Sequence, residues 1–386
     1  KPFAGVNGSG KHNNWSLVTN GGNNLLDPGN TPHDNMIFLV FLCAVIRAVD
    51  KHAKLMRAAV ANSGNDHRLG ANEAPPAIVS IFLGDQLTDI FEQLAAGGAK
   101  TSKKGGELKL GSSTLPPLPK DTTDRNRTSP FAFTGNKFEF RMVGSSQSTS
   151  GPNFVLNTIV ADVLSEIADE LEKSKNVTSD TQKLLKKIAK DHARVIFNGD
   201  NYTDDWVAEA EKRGLPNIRS TVASLETIMD KENVDVFKRH KVLSKQELHA
   251  RTEILFEGYS KSINIEALTT LNIAKRQIIP NCIEYSGRLA SSISVVADAG
   301  GSCTSMKKTL DKVCGLIDGL DEGIETLQAA VEKAQSIAKP NMQARAYRDS
   351  VIPAMNQVRQ AADKLEMLVD ADLWPLPSYA EMLFLR

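Results

Sequence analysis

From Gly151 onward the chain repeats apolar residues at helical spacing with almost no interruption, and this run limits what the whole can be. Phe154, Val155, Ile159, Val163 and Ile167 recur at intervals that line one face of a helix. Ser244-Lys-Gln-Glu247 has the form of a capping box. It predicts a long helix to about Ile279, where Pro280 should kink or break it. Met306, Leu310, Val313, Ile317, Leu320, Ile324, Leu327 and Val331 step by four and three, the spacing of a narrow apolar seam. After Pro340 the seam resumes at Val351, Met355, Val358, Ala362, Leu365 and Val369. The expected result is an antiparallel helical hairpin over 303–370. Core packing is the first reading of its seam, and a regulatory or subunit-contact role is the sharper alternative.

The first 150 residues have a different pattern. Residues 1–20 read as strand, with His12, Asn14 and Ser16 on one face by period-two alternation and a Gly/Asn turn after them. A helix is expected from Asp34, or from Thr31 and Pro32, to about Asn62. His67–Glu73 reads as a loop, and Ala77–Leu94 as strand or helix. Residues 97–123 form a loop rich in Gly, Lys, Ser and Pro, read as a solvated segment in preference to a phosphate-binding one. Phe138 and Phe140 alternate with Lys137, Glu139 and Arg141, as in a strand with an apolar side in a core and a charged side in a cleft.

Lys plus Arg and Asp plus Glu number 46 each, which argues against a polyanion-binding surface and hence against a nucleic-acid partner. Met36–Ile46 is too short an apolar run to span a bilayer and reads as a buried helix, so no membrane partner is expected. Cys43, Cys282, Cys303 and Cys314 form no CxxC pair and read as reduced core thiols of a cytoplasmic protein. The first residue is Lys and lies inside a motif, so the expectation is the C-terminal part of a longer protein.

Three segments carry a resemblance, in order. They are Asn7-Gly8-Ser9-Gly10-Lys11-His12 followed by Ser16-Leu17, then His67-Arg-Leu-Gly-Ala-Asn-Glu73-Ala-Pro-Pro-Ala, then Asp124-Arg-Asn-Arg127-Thr-Ser ending in Lys137-Phe-Glu139-Phe-Arg141. Together they resemble the signature segments of glutamine synthetases. Asn-Asn-Trp after His12 and the long helical tail resemble the large, type III branch.

The resemblance implies an α+β fold, a curved antiparallel sheet with flanking helices followed by a helical C-terminal extension. Residues 1–175 would be the C-terminal part of the catalytic domain, and 176–386 the helical region. It implies ATP-dependent ligation of ammonia to glutamate through γ-glutamyl phosphate, with ATP and Mg2+ or Mn2+ as cofactors. It also implies a homo-oligomer, a hexameric ring doubled to twelve, with sites between neighbours.

The site residues follow from the same resemblance. His12 and Glu139 match metal ligands. Asn7 and Gly8 match positions that hold the amino-acid substrate, and Arg68 the arginine that pairs with its carboxylate. Asn14 and Ser16 fall where the nucleotide is contacted. Arg127 matches an arginine on the ATP phosphates, with Arg125 in the same turn. Arg141 would hold the γ-phosphoryl group, with Lys137 extending that face. Glu73 is the candidate flap carboxylate that takes a proton from ammonium and closes the glutamate entrance. Three further metal-binding glutamates of the family would precede Lys1, so these 386 residues alone are expected to have little or no synthetase activity. Two rival readings are a γ-glutamyl ligase using a larger amine and a non-catalytic structural or regulatory homologue acting through its helical tail.

Overall fold

The alternation around Glu139 folds as a strand whose two phenylalanines point into a core. The computed structural model describes residues 10–71, 74–102, 107–108, 118–119 and 127–384. Its strands are β1 (Gly10–Trp15), β2 (Ile81–Phe82), a separate ribbon of β3 (Glu107–Leu108) and β4 (Leu118–Pro119), then β5 (Phe131–Phe133) and β6 (Phe138–Gly144). The main sheet has the order β1-β6-β5-β2. It is antiparallel across β1, β6 and β5, whereas β2 joins β5 in parallel. A parallel neighbour needs a long crossover, and the chain between β2 and β5 supplies it.

Phe131 faces Phe140 and Phe133 faces Phe138 across the β5–β6 hairpin. Phe131 stacks on Phe138 at a centroid separation of 4.7 Å, and the other pairs meet edge-on. All four rings are buried, each stabilising the sheet by roughly 1.5–3 kcal/mol. The hairpin closes through Thr134 N–H, which donates to Lys137 O, with Gly135 at φ +84° in the turn.

Helix α1 (Met36–Lys51) starts after both expected positions, because the Asn35 side chain accepts from Phe38 N–H and caps it. It does not continue to Asn62. It stops at His52 and the chain resumes as α2 (Ala53–Ala58) and α3 (Ser63–Asp66). The break leaves His52 buried, 3.6 Å from the carboxylate of Asp162. After β2, α4 (Gly84–Ala96) begins at Gly84, so Ala77–Leu94 holds a strand and then a helix.

Next come α5 (Ser150–Leu171), packed on α1, and α6 (Val177–Asp191), packed on α4. They are followed by α7 (Asp204–Lys212), α8 (Thr221–Glu226) and α9 (Lys231–Arg239). Asp162 of α5 has a fully buried carboxylate. It accepts from Arg239 at 2.6 Å and Lys51 at 3.1 Å and lies 2.8 Å from His240. One turn on, Glu166 takes Arg47 at 2.6 Å and Lys51 at 2.5 Å. Cations at the ends of α1 and α9 are thereby tied to α5.

Contacts divide the chain into two compact units, Lys1–Thr252 and Glu253–Arg386. The division falls inside α10 (Lys245–Ile273). That helix opens with the expected box: Glu247 N–H donates to Ser244 Oγ, and Ser244 N–H to Glu247 Oε2 at 2.8 Å.

The second unit is helical. Pro280 does not end the helical path. A π-helical segment, Ala274–Ile278, leads into α11 (Ile279–Asp298). The wider turn makes room for a ring that would otherwise strike the carbonyl of the preceding turn. The device recurs before Pro353. There Tyr347–Val351 is π-helical between α13 (Pro340–Ala346) and α14 (Ile352–Glu366).

Helix α12 (Thr304–Gln335) packs on α14. Val313, Leu320, Ile324, Leu327 and Val331 are buried on one side, and Val358, Ala362 and Leu365 on the other. Three cysteines are buried, but Cys314 is exposed, a correction to four core thiols. It follows Val313 and so faces away from the seam. Among the described residues no helix is long and apolar enough to cross a membrane.

Candidate functional site

The chemistry-bearing face is built where β1 meets β6. Lys11 pairs with Val143, and Asn13 with Phe140. His12 alone therefore faces both Arg141 and Met142, a β-bulge in β6. Bulges re-aim side chains, and this one gathers three of the candidate residues. His12 Nδ1 lies 2.7 Å from Glu139 Oε1. The Arg141 guanidinium donates to Glu139 Oε2 twice, from Nε at 3.0 Å and Nη2 at 2.7 Å. Burial opposes charge on Glu139, but Arg141 and His12 outweigh it and hold the carboxyl below the ordinary carboxylate range. Glu139 is thus an anion with one oxygen turned to an imidazole and the other to a guanidinium.

A bulge leaves carbonyls off the ladder, and buried carbonyls need donors. Arg68 supplies them here. Its Nη2 donates to Arg141 O at 2.7 Å and its Nη1 to Met142 O at 3.2 Å. Asn65 adds a bond to Met142 O at 2.8 Å and accepts from Arg68 through Oδ1. Arg68 is buried behind the strand, and only its Nε lacks a partner among the described residues. Its guanidinium lies against Gly10, where a Cβ would overlap it and sit 2.8 Å from Val143 O. Gly10 is needed for that close approach, not for an unusual backbone angle.

The opposite face of β1 is pinned to α5. Asn13 Nδ2 donates to Asn153 Oδ1 at 2.7 Å, and Trp15 Nε1 to Asn157 Oδ1 at 2.8 Å. Two steps along a strand match one turn of a helix, so both bonds form together. Sequence reasoning passed over Asn65, Asn153 and Asn157. The i, i+4 spacing of the last two was the available signal.

The other predicted residues are distributed as follows. Asn14 is exposed on the His12 face. Ser16 is half-buried, and its hydroxyl donates to Asn24 Oδ1 at 2.6 Å and also reaches Asn136 O. Lys137 is half-buried at the β5–β6 turn, two residues before Glu139. Arg127 is exposed. Asn7, Gly8, Glu73 and Arg125 lie outside the described residues.

The comparisons with known proteins bear on this face. A family model described as the glutamine synthetase C-terminal domain matches residues 180–297. A type-3 glutamine synthetase of Dictyostelium discoideum is 47% identical over 396 aligned residues, covering 100% of this chain and 54% of that protein. The chain belongs to the glutamine synthetase family. Glutamine synthetases of Butyrivibrio fibrisolvens and Bacteroides fragilis (strain YCH46) are 40% and 36% identical. Each match covers 100% of this chain and 55% of the relative. The chain spans about half the length of the curated relatives it matches.

A glutamine synthetase site that holds a divalent ion needs oxygen and nitrogen donors converging on one point. The imidazole and carboxylate 2.7 Å apart are two donors of a kind that Mg2+ or Mn2+ accepts. Among the described residues no group of three His, Cys, Asp or Glu side chains could hold a metal ion.

Proposed function

We propose that this chain carries part of the active site for ATP-dependent ligation of ammonia to glutamate, glutamate–ammonia ligase chemistry. The observation that carries the reading is the His12–Glu139–Arg141 row, which runs from an exposed imidazole through a half-buried carboxylate to a buried guanidinium. In this reaction the γ-carboxylate oxygen attacks the terminal phosphorus of ATP and ADP leaves. Ammonia then attacks the γ-carbonyl carbon and phosphate leaves. Phosphoryl transfer of this kind depends on positioning and charge neutralisation more than on covalent help from the protein.

His12 and Glu139 would hold Mg2+ or Mn2+, which when bound supplies positive charge to the phosphoryl oxygens. Arg141, whose Nε and Nη2 are bonded to Glu139, is assigned to the γ-phosphoryl group, which a planar guanidinium suits. Arg127, Lys137, Asn14 and Ser16 are assigned to the nucleotide. Asn7 and Gly8 are assigned to the α-groups of glutamate. Glu73 is the base that takes a proton from ammonium before the nitrogen can attack. Arg68 is assigned to the substrate carboxylate, and its guanidinium bears on the same site by holding the two bulge carbonyls that aim Arg141. A homo-oligomeric ring of six or twelve subunits in the cytoplasm belongs to the same reading, and solution mass tests it.

The test is glutamine formation by the native enzyme with Mg2+ or Mn2+. His12→Ala and Glu139→Gln should each lower activity or metal affinity by about 10–100-fold or more. Unchanged metal dependence in both variants would sink the assignment. A larger amine that displaces ammonia as the preferred substrate would leave the ligase chemistry standing and change its product. The 386 residues by themselves should turn over little glutamine, since only two donors converge among the described residues. Full turnover by them alone would contradict that.

A further inference from the structure

Helix α12 buries its seam against α11 and α14 and leaves the opposite face to solvent. Residues 308, 315 and 322 lie along that face seven apart, with 312 and 318 beside them, and all of these are exposed. The charges are sorted along it. From Thr304 to Cys314 there are three lysines and one aspartate, and from Gly315 to Thr326 four acids and no base. Lys308, Lys312, Asp318 and Glu322 have no ion-pair partner among the described residues.

Local physical chemistry disfavours this arrangement in a helix face that meets only water. Like charges four residues apart repel, and Lys308–Lys312 and Asp318–Glu322 are both of that kind. Other exposed helical charges of the molecule are set the opposite way, as in Glu257–Lys261, Glu284–Arg288 and Arg359–Asp363. Lys307 and Lys308 stand near the N-terminus of α12, where the helix dipole disfavours cations, and the first turn holds no acid. Gly315 and Gly319 are poor helix formers, and an added Cβ at either would meet nothing within 4 Å, whereas Gly323 is packed on Val358. Departures from local preference gathered on one face point to something that covers it.

The charge pattern is its own complement when reversed. A second copy laid antiparallel on the face, with Gly315 on Gly315, sets Lys308 opposite the partner's Glu322 and Lys312 opposite the partner's Asp318. A two-fold axis repeats both pairs, which is the mark of an isologous contact. Glycine at the crossing point lets the two backbones approach. We propose that this face of α12 is an interface between two copies of the chain, held antiparallel across Gly315 by these lysine–carboxylate pairs and their symmetry mates. The inference rests on the self-association proposed above and on none of the chemistry. Exposed pairs of this kind fix register more than they add affinity, so the contact orients copies that the oligomer already holds near one another.

Carbodiimide cross-linking of the native enzyme tests this, because the reagent joins an amine to a carboxylate only when the two touch. Lys308 and Glu322 of one chain stand about 21 Å apart along the helix, so a link between them must join two copies. Peptide mass spectrometry should find that link in the wild type and lose it at high salt. Lys308→Glu with Lys312→Glu makes the face acidic throughout, and Asp318→Lys with Glu322→Lys makes it basic. Each variant alone should show no link on this face. Co-expressed, the two should restore it with the polarity reversed, position 308 of the acidic copy joined to position 322 of the basic one. Links between copies at other positions, with none between 308 and 322 in the wild type, would overturn the inference and leave the oligomer and the ligase reading standing. Links from position 308 to position 308 in the mixture would mean a parallel contact and overturn it too. A wild type with no link between copies and a monomeric solution mass would remove the proposed self-association as well.

Discussion

Arg68 passes so close to Gly10 that any Cβ at that position would occupy the space of its guanidinium. The contact joins the glycine-rich opening segment to the loop that follows α3, and it has a purpose in the sheet. Through it Arg68 reaches the carbonyls of Arg141 and Met142, which the bulge opposite His12 has turned off the ladder. The direction of the Arg141 side chain thus depends on an arginine behind the strand and on a missing methyl group beside it.

Gly10→Ala should therefore act at a distance. The added methyl displaces Arg68, two buried carbonyls lose donors, and stability falls by about 1–3 kcal/mol. Arg68→Met should cost a similar amount, with glutamine formation reduced in both. Melting curves and turnover measured together check this. A Gly10→Ala enzyme of wild-type stability would show that the strand can shift without harm.

Asp162→Asn removes the anion on which Lys51, Arg239 and His240 converge. Removing one member of a buried ionic network leaves the others uncompensated, so a loss of about 3–5 kcal/mol is expected in chemical denaturation. Burial opposes charge on Asp162, but its cationic partners keep its pKa below the ordinary value, so its stabilising effect is present at neutral pH and fades only in strong acid.

His52 predicts a second acid limb at milder pH. Burial and the adjacent Lys51 push its pKa down to about 4, against the pull of Asp162. In the unfolded chain it titrates near 6.5, so between about 6.5 and 4 the unfolded state binds the extra proton. Stability present above that window should be lost as pH falls through it, on the order of 3 kcal/mol in all. Melting temperature against pH, for wild type and His52→Gln, reads the effect. An identical slope in both would assign the acid sensitivity elsewhere.

Ser244→Ala should cost about 1 kcal/mol, because the α10 box loses the acceptor for Glu247 N–H. Both groups are exposed, so the change should lower the melting temperature slightly and leave turnover alone. A larger loss would mean that the start of α10 supports more than itself.

Local pattern alone determined much of this protein. The alternation at Lys137–Arg141 is a strand with two buried rings, the box at Ser244 opens a helix, and the seams at Val313–Val331 and Val358–Leu365 are buried. Each is a matter of period or of neighbours a few residues apart, which a linear string records. Tertiary structure alone decided where α1 breaks, how Pro280 and Pro353 are passed by π-helical turns, and which residues surround Glu139. The bulge across from His12, the carbonyls taken by Arg68 and the two asparagines of α5 depend on strand register and on segments brought together from distant parts of the chain. Register and long-range approach are set by how whole elements pack, and no single stretch of sequence contains both partners.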